Sequence, residues 1–208
     1  MGTSCHLAVI VDFRDGGRAE KILDKAEFQI RYVESLASNW IEASEISRLN
    51  AAPAGTRMEM SEVNWEIIQS AKAAYEATGG VFDITCRPLV ELWKSAADRG
   101  EFPAESEIEA ARAESHWEML ELVDGQALIK RSDTVRVDLG GIAKGYAIDR
   151  AISAMRELGA KGGFVDIGGD VRVFGTSSAR GGEWSIEWTR PSDRNAVRLF
   201  ERAGDFAV

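Results

Sequence analysis

The chain has 208 residues, of which 45% are hydrophobic and 28% charged, with 20 glycines and only four prolines. This composition is that of a folded globular protein, and it excludes a collagenous, low-complexity or wholly disordered chain. Acidic residues outnumber basic ones by 34 to 25, for a net charge of −9, so the field of the molecule repels phosphate backbones and no nucleic-acid partner is expected.

The apolar runs and the cysteines exclude two further classes of protein. The longest apolar runs are far shorter than the roughly 20 residues of a membrane-spanning helix, so no transmembrane segment is expected. Two cysteines and two histidines are too few for a disulfide framework or for the spacing of a zinc site. We interpret Cys5 and Cys86 as buried free thiols.

No targeting signal is readable in the sequence. A glycine turn near the end leads into what resembles a new strand, which favours a fragment of a longer chain.

In the first half of the chain, one strand is followed by a series of helices. Residues 6–13 alternate and branch like a strand, which ends at the turn Asp15-Gly16-Gly17. Apolar residues at helical spacing, start signals at Ser61 and Pro88, and a stop at Gly79-Gly80 then predict helices. In chain order these helices lie at residues 22–37, 61–78, 88–97 and 106–113, with a strand at residues 81–85 after the second of them.

The second half is predicted to be mostly sheet around one helix. Asp124-Gly125 between two short apolar runs is the signal of a two-residue hairpin. The helix is predicted at residues 142–158 and closes on Gly159. The predicted strands lie at residues 120–123, 127–129, 135–138, 164–167, 171–174, 184–188 and 196–200. No repeat or linker interrupts these elements, so a single α+β domain over residues 1–208 is predicted.

One segment of the second half has the features of an anion-binding loop. A predicted strand ends in Asp138, Gly140-Gly141 makes a turn, and a helix follows with Lys144 in its first turn. A bound phosphate would explain a lysine at this end of a helix, because it would accept hydrogen bonds from both the free backbone amides and the ammonium. A solvated lysine, an acid that caps the helix and glycines that serve a tight turn explain the same residues. The residues alone leave both interpretations open, and neither a Walker loop nor a dinucleotide fingerprint is present.

Three other features have ordinary structural explanations when each is considered by itself. Asp83 lies in the apolar strand predicted after Gly79-Gly80, and a lone acid there is best explained by hydrogen bonds to nearby backbone. Phe82 and Trp40 are more typical of a core than of a ligand platform. Gly168-Gly169-Asp170 fits a hairpin turn.

Together, however, these segments resemble one family, the FAD:protein FMN transferases, also called ApbE-like flavin transferases. The matching segments follow the order and approximate separation of the family: Met1-Gly2-Thr3, Ser47-Arg48-Leu49-Asn50, residues 79–85, Pro88-Leu89-Val90, Leu92-Trp93, residues 138–147 with Asp149, and residues 166–170. Such an ordered set is far more specific than one glycine loop. The resemblance implies an α+β fold of the T-fold-like type, with a mixed sheet, packed helices and FAD bound in a groove between them.

The resemblance also implies an activity, ligands and site residues. The activity is the Mg²⁺-dependent transfer of FMN from FAD to a Ser or Thr hydroxyl of an acceptor flavoprotein, with release of AMP. The implied FAD-contacting positions are Met1, Trp40, Val81, Phe82, Asp83, Asp138 and Lys144, and Gly141 is the implied donor of a backbone carbonyl to Mg²⁺. No catalytic residue is identified. The remaining metal ligands of the family match no position up to Val208, so we expect little or no transfer from these 208 residues alone.

Two alternatives to transfer stay open. An FAD pyrophosphatase would use the same residues with water in place of the protein hydroxyl and would release FMN and AMP, and a non-catalytic module would bind FAD without turnover. A flavin dehydrogenase is less expected, because no Cys or His constellation supports hydride chemistry. By analogy with the family, the expected location is the periplasm, or the membrane surface as an anchored exported protein.

Overall fold

The computed structural model of the protein describes residues 2–12, 16–178, 182–190, 193–202 and 204–208. The helices within these residues are α1 (Gly16–Ala37), α2 (Glu45–Ala51), α3 (Glu62–Ala77), α4 (Arg87–Arg99), α5 (Glu105–Ala113) and α6 (Ala143–Glu157), with a 3₁₀ helix at Trp117–Met119. The strands are β1 (Cys5–Ile10), β2 (Arg57–Glu59), β3 (Leu120–Val123), β4 (Ala127–Lys130), β5 (Gly162–Ile167), β6 (Asp170–Gly175), β7 (Trp184–Arg190), β8 (Asp193–Arg202) and β9 (Phe206–Ala207). None of the helices in these ranges is long and apolar enough to cross a membrane.

The contacts of the chain form two compact units, which we call the terminal unit (Met1–Tyr32 and Lys144–Val208) and the central unit (Val33–Ala143). The terminal unit contains an antiparallel sheet in the order β1-β5-β6-β9 and the hairpin β7-β8. Within it, α1 and α6 run antiparallel, because Arg18 Nε donates to the carbonyl of Leu158 (2.9 Å) and Arg150 Nε donates to Gln29 Oε1 (3.0 Å). The guanidinium of Arg156 on α6 lies 4.8 Å from the centre of the Phe174 ring on β6.

Two glycines face each other across β5 and β6 in the terminal unit. Gly162 pairs with Gly175 in the antiparallel register, and a Cβ atom on Gly162 would lie 2.1 Å from the carbonyl oxygen of Thr176. A Cβ atom on Gly175 would lie 2.0 Å from the carbonyl oxygen of Lys161, and Gly175 has a φ of +62°. The close approach of the backbones therefore requires glycine at both positions.

The central unit contains the antiparallel sheet β2-β4-β3 and the helices α2 to α5. A single carboxylate ties two of these helices together. Glu45 Oε2, in the first turn of α2, accepts hydrogen bonds from the backbone N–H (2.9 Å) and the hydroxyl (2.9 Å) of Ser61, which caps α3. It also accepts from Asn64 Nδ2 at 2.8 Å. The apolar faces of α2 and α3 are buried at Ile46, Leu49, Val63, Ile67, Ile68 and Ala71.

The central unit also buries a lysine. The side chain of Lys130, the last residue of β4, is only 1% exposed, and its Nζ donates to the carbonyl oxygen of Asn50 at 2.9 Å. Burial lowers the pKa of the Lys130 ammonium, because the charged form loses its hydration. This hairpin residue is therefore part of the core.

The predicted α+β fold is confirmed, with most helices and strands close to their predicted positions. The two strands predicted at residues 81–85 and 135–138 are wrong, since neither segment joins a sheet. The hairpin turn has three residues rather than two, because Val123 pairs with Ala127 and Gln126 takes a left-handed φ of 56°. Cys5 is exposed and Cys86 half-buried, so the expectation of two buried thiols is also wrong. The assignment of residues 1–208 to one domain stays a prediction.

Candidate functional site

Asp138 shapes the loop that leads into α6. Its backbone N–H donates to the carbonyl of Ile84 (2.7 Å), and its Oδ1 accepts from the N–H of Gly140 (2.8 Å), which closes a tight turn. The first turn of α6 instead bonds to the carbonyl of Leu139, which accepts from the N–H groups of Ile142 (3.0 Å) and Ala143 (2.8 Å). Asp138 therefore stabilises the diglycine turn and leaves its second oxygen, Oδ2, for another partner.

An aromatic side chain covers this diglycine turn. A Cβ atom on Gly141 would lie 3.2 Å from Cε2 of Phe82, so the ring rests against the backbone of the turn. The neighbouring Val81 is 88% exposed, which is unusual for a large aliphatic side chain. Within the central unit, the structure thus brings together Phe82 and Gly141, two of the residues that the resemblance identifies.

Both oxygens of the Asp83 carboxylate, which is half-buried, accept hydrogen bonds within the protein. Its Oδ1 accepts from the backbone N–H and the hydroxyl of Thr85, both at 2.8 Å, and its Oδ2 accepts from the backbone N–H of Trp117 at 3.2 Å. These bonds turn the chain back on itself and explain why residues 81–85 are not a strand. The hydrogen bonds to nearby backbone expected of a lone acid are present, and its contact with FAD stays a prediction.

We predict that Asp83→Asn lowers the free energy of unfolding by about 1–3 kcal/mol, because an amide NH₂ placed at Oδ2 would face the N–H of Trp117, donor against donor. Urea unfolding followed by far-UV circular dichroism measures this loss. The matched control is Asp98→Asn, which removes the same charge from an exposed position of α4 and should change stability by no more than about 0.5 kcal/mol. Equal stabilities of the two variants would contradict the prediction.

Trp40 lies beside two cations on the surface of the central unit. Its side chain is 72% exposed, so it is not a core residue. The guanidinium carbon of Arg87 lies 5.6 Å, and Lys94 Nζ 4.4 Å, from the centre of its ring, within the range of cation–π attraction. Trp40 and Arg87 line an open cleft of about 430 Å³ together with polar residues that include Asn39 and Asn50. An exposed indole beside a polar cleft is suited to stacking on a planar ring.

Lys144 belongs to the terminal unit, where it is already paired. Its Nζ lies 2.5 Å from Asp170 Oδ2, and the side chain is 32% exposed. This ion pair accounts for the lysine without a ligand, and its contact with FAD stays a prediction. Asp170 begins β6 directly after the turn Gly168-Gly169, whose φ angles are 64° and 95°. The hairpin predicted there is confirmed. It places the carboxylate of Asp170 beside Lys144. Met1 lies outside the described residues.

Comparison with known proteins decides the family of this chain. The model of the ApbE family matches residues 1–208. The chain belongs to the ApbE family. It is 31% identical over 204 residues to a protein of Salmonella typhimurium named FAD:protein FMN transferase, covering 95% of this chain and 57% of that one. A protein of the same name from Vibrio cholerae is 30% identical over 179 residues, covering 85% and 53%. The chain thus spans about half the length of these curated relatives.

Solved structures of ApbE proteins share this fold. The ApbE protein of Thermotoga maritima has a TM-score of 0.84 at 28% identity, covering 98% of this chain and 65% of that one. The flavin transferase ApbE of Vibrio cholerae has a TM-score of 0.81 at 26% identity, covering 98% and 66%. The fold implied by the resemblance is therefore confirmed.

The residues of this ApbE chain that the structure describes do not by themselves make a magnesium site. In the ranges that the structure describes, no three His, Cys, Asp or Glu side chains are grouped as metal ligands. The carbonyl of Gly141 is one hard ligand, but Mg²⁺ keeps its waters unless carboxylates or phosphates replace several of them. Gly141 alone would therefore hold the ion only weakly.

Sequence reasoning missed two residues that shape the site of this ApbE chain. The side chain of Asn50 accepts from the N–H of Val137 (2.7 Å) and donates to its carbonyl (2.8 Å), so it pairs with the segment before Asp138 as a strand would. Its place in the segment Ser47-Arg48-Leu49-Asn50 was the available signal. No sequence signal pointed to Arg87, because an arginine before Pro88 indicates only the start of a helix.

Proposed function

We propose that the protein is an FAD:protein FMN transferase, which moves FMN from FAD to a Ser or Thr hydroxyl of an acceptor flavoprotein in a Mg²⁺-dependent reaction and releases AMP. The observation that carries the proposal is the loop at residues 138–141 in a chain of the ApbE family. Asp138 closes its turn, Phe82 covers Gly141, and α6 begins at Ala143 with Lys144 in its first turn. The names of the curated relatives support the same activity.

The reaction exchanges one P–O bond for another. The hydroxyl oxygen of the acceptor attacks the phosphorus of the FMN half, the bond from that phosphorus to the bridging oxygen breaks, and AMP leaves with that oxygen. The hydroxyl proton passes to solvent or to a base that we do not assign. Charge on the diphosphate must be neutralised during this transfer, and the ammonium of Lys144 is the positive group that the resemblance places there. Bound Mg²⁺ would neutralise further charge, with the carbonyl of Gly141 as one ligand.

A bound diphosphate would share Lys144 with its present partner or replace that partner. Its ammonium faces the carboxylate of Asp170, and an incoming diphosphate would offer it more negative charge than that carboxylate does. The pair is partly exposed, so solvent screening keeps its strength modest and the exchange inexpensive. The free protein thus keeps a lysine at a helix N-terminus without an unpaired charge.

The acceptor and the location are proposed from the resemblance alone. A flavoprotein subunit that carries a Ser or Thr flavinylation site would be the partner, and the periplasm or the outer face of a membrane would be the place of action. Fractionation of cells with an antibody to the protein tests the location. Recovery in the cytoplasmic fraction would contradict it.

FAD binding is the first test of the proposed function. Titration of FAD with the protein, followed by flavin fluorescence, should saturate, and riboflavin should bind far more weakly because it lacks the diphosphate. Absence of saturable FAD binding would overturn the proposal.

Product analysis with the whole protein, FAD, Mg²⁺ and an acceptor is the second test. It should give covalent flavin on the acceptor and equimolar AMP. Free FMN and AMP without the acceptor would instead identify a pyrophosphatase, and intact bound FAD would identify a binding module.

A further inference from the structure

Arg87 is a charged side chain of the central unit to which neither the sequence motifs nor the proposed reaction gives a role. It is the first residue of α4, and its side chain is only 15% exposed. Burial of a guanidinium is unfavourable unless its N–H groups are paired. The partners of the Arg87 guanidinium therefore indicate its role.

Two carboxylates face the guanidinium of Arg87. Its Nε lies 2.9 Å from Glu91 Oε1, one turn along α4, and its Nη1 lies 3.4 Å from Asp138 Oδ2. Glu91 is also paired with Arg136, at 3.1 Å. Glu91 can thus hold Arg87 in place while Arg87 reaches the oxygen of Asp138 that the diglycine turn leaves free.

The contact with Asp138 changes the charge that a ligand meets. A bare carboxylate at this loop would repel an anionic dinucleotide, whereas a carboxylate paired with a guanidinium is close to neutral. The pair also fixes the direction of Oδ2, because Oδ1 is bonded to the N–H of Gly140 and Oδ2 to Arg87. Arg87 therefore both neutralises Asp138 and orients it.

The same guanidinium also lies beside Trp40, at 5.6 Å from the ring centre. Since the indole is largely exposed, packing does little to fix its orientation, and the nearby cations supply the attraction that burial does not. Arg87 is thus in reach of two residues, Trp40 and Asp138, that are implied contacts of FAD.

We propose that Arg87 is a positioning residue for the dinucleotide, which holds the Asp138 carboxylate and the Trp40 indole in the arrangement that binds FAD. The inference rests on the proposed function, because it takes FAD as the ligand. Arg87 acts through these two side chains and needs no contact with FAD itself.

Substitution of Arg87 tests this role through FAD affinity. Arg87→Ala should weaken FAD binding about tenfold or more, measured by flavin fluorescence, and Arg87→Lys should recover part of the loss because it keeps a positive charge near Asp138. The matched control is Arg99→Ala, which removes an arginine from the other end of α4 that is paired with Glu107 at 3.7 Å. The control should bind FAD as the unchanged protein does.

A double-mutant cycle separates positioning from a general structural defect. Because Arg87 acts partly through Asp138, the double variant Arg87→Ala with Asp138→Asn should lose less FAD affinity than the sum of the losses of the two single variants. Losses that add in full, or an affinity of Arg87→Ala equal to that of Arg99→Ala, would overturn the proposal while leaving FAD binding intact. Failure of the unchanged protein to bind FAD would overturn the proposed function and this inference together.

Discussion

Lys144→Ala should weaken the binding of FAD by roughly 10- to 100-fold. A charge-assisted hydrogen bond from an ammonium to a diphosphate contributes about 1.5–3 kcal/mol, and each 1.4 kcal/mol is a factor of ten in affinity. The loss should be smaller at high salt, because added ions screen the same interaction in the unchanged protein. Titrations followed by flavin fluorescence at two fixed ionic strengths measure both effects.

The control for this variant is Lys72→Ala on α3. Lys72 is also paired with a carboxylate, Glu76 at 3.5 Å, and it is exposed, so its removal takes away the same charge and a comparable ion pair. Lys130 is unsuitable as a control, because its side chain is buried and bonded to Asn50. Equal FAD affinities for the Lys144 and Lys72 variants would contradict the proposed contact of Lys144 with the diphosphate.

Gly175→Ala should cause the largest loss of stability among the proposed substitutions, roughly 3 kcal/mol or more, or prevent soluble expression. Two costs combine at this position. The φ of +62° is unfavourable for any residue with a Cβ atom, and that atom would lie 2.0 Å from the carbonyl oxygen of Lys161. Neither the backbone of β5 nor that of β6 can move away without breaking the paired register.

Gly100→Ala separates these two costs. Gly100 ends α4 with a φ of +70°, but a Cβ atom there would meet nothing within 4 Å. It should therefore show the backbone strain alone, about 1–2 kcal/mol. Urea unfolding of both variants gives the comparison. A loss at Gly175 no greater than the loss at Gly100 would mean that the strands yield to the added methyl group.

Apart from α2, which was not predicted, the helices were predictable because their signals are local. Ser61 caps α3 through its own side chain, which accepts from the N–H of Asn64, and Gly79 and Gly80 take the positive φ angles that their place after the helix predicts. The hairpin β3-β4 was predictable for the same reason, apart from its turn length. Each of these features depends on residues within a few positions of one another.

The two segments that were wrongly predicted as strands are held by contacts that no local sequence pattern contains. The segment before Asp138 is held by the side chain of Asn50, 87 positions away, instead of by a neighbouring strand. The segment around Asp83 is held by that residue's own carboxylate and by the N–H of Trp117. An apolar, β-branched run predicts a strand in both places, but polar side chains supply the hydrogen bonds that a sheet would otherwise make.

The site was only partly predictable from the sequence. The types and spacing of Asp138, Gly141 and Lys144 fitted both an anion-binding loop and a tight turn with a solvated lysine, and only the family resemblance favoured a ligand. The ion pair of Lys144 with Asp170 and that of Arg87 with Asp138 were not predicted, because each joins residues more than twenty positions apart. The residue types of a site are thus in the sequence, whereas its electrostatic balance needs the fold.

The dehydrated ammonium of Lys130 has a consequence for alkaline solutions. In the unfolded chain this group keeps its proton up to a pKa near 10.5, whereas in the folded chain it releases the proton at a lower pH. Between those two points the unfolded state holds more protons, so the contribution of Lys130 to stability rises with pH. The thiol of Cys86 has the opposite effect, because burial raises its pKa above 9.0 and the unfolded state loses its proton first. As the pH rises into the mildly basic range, the contribution of Lys130 to stability therefore increases while that of Cys86 decreases.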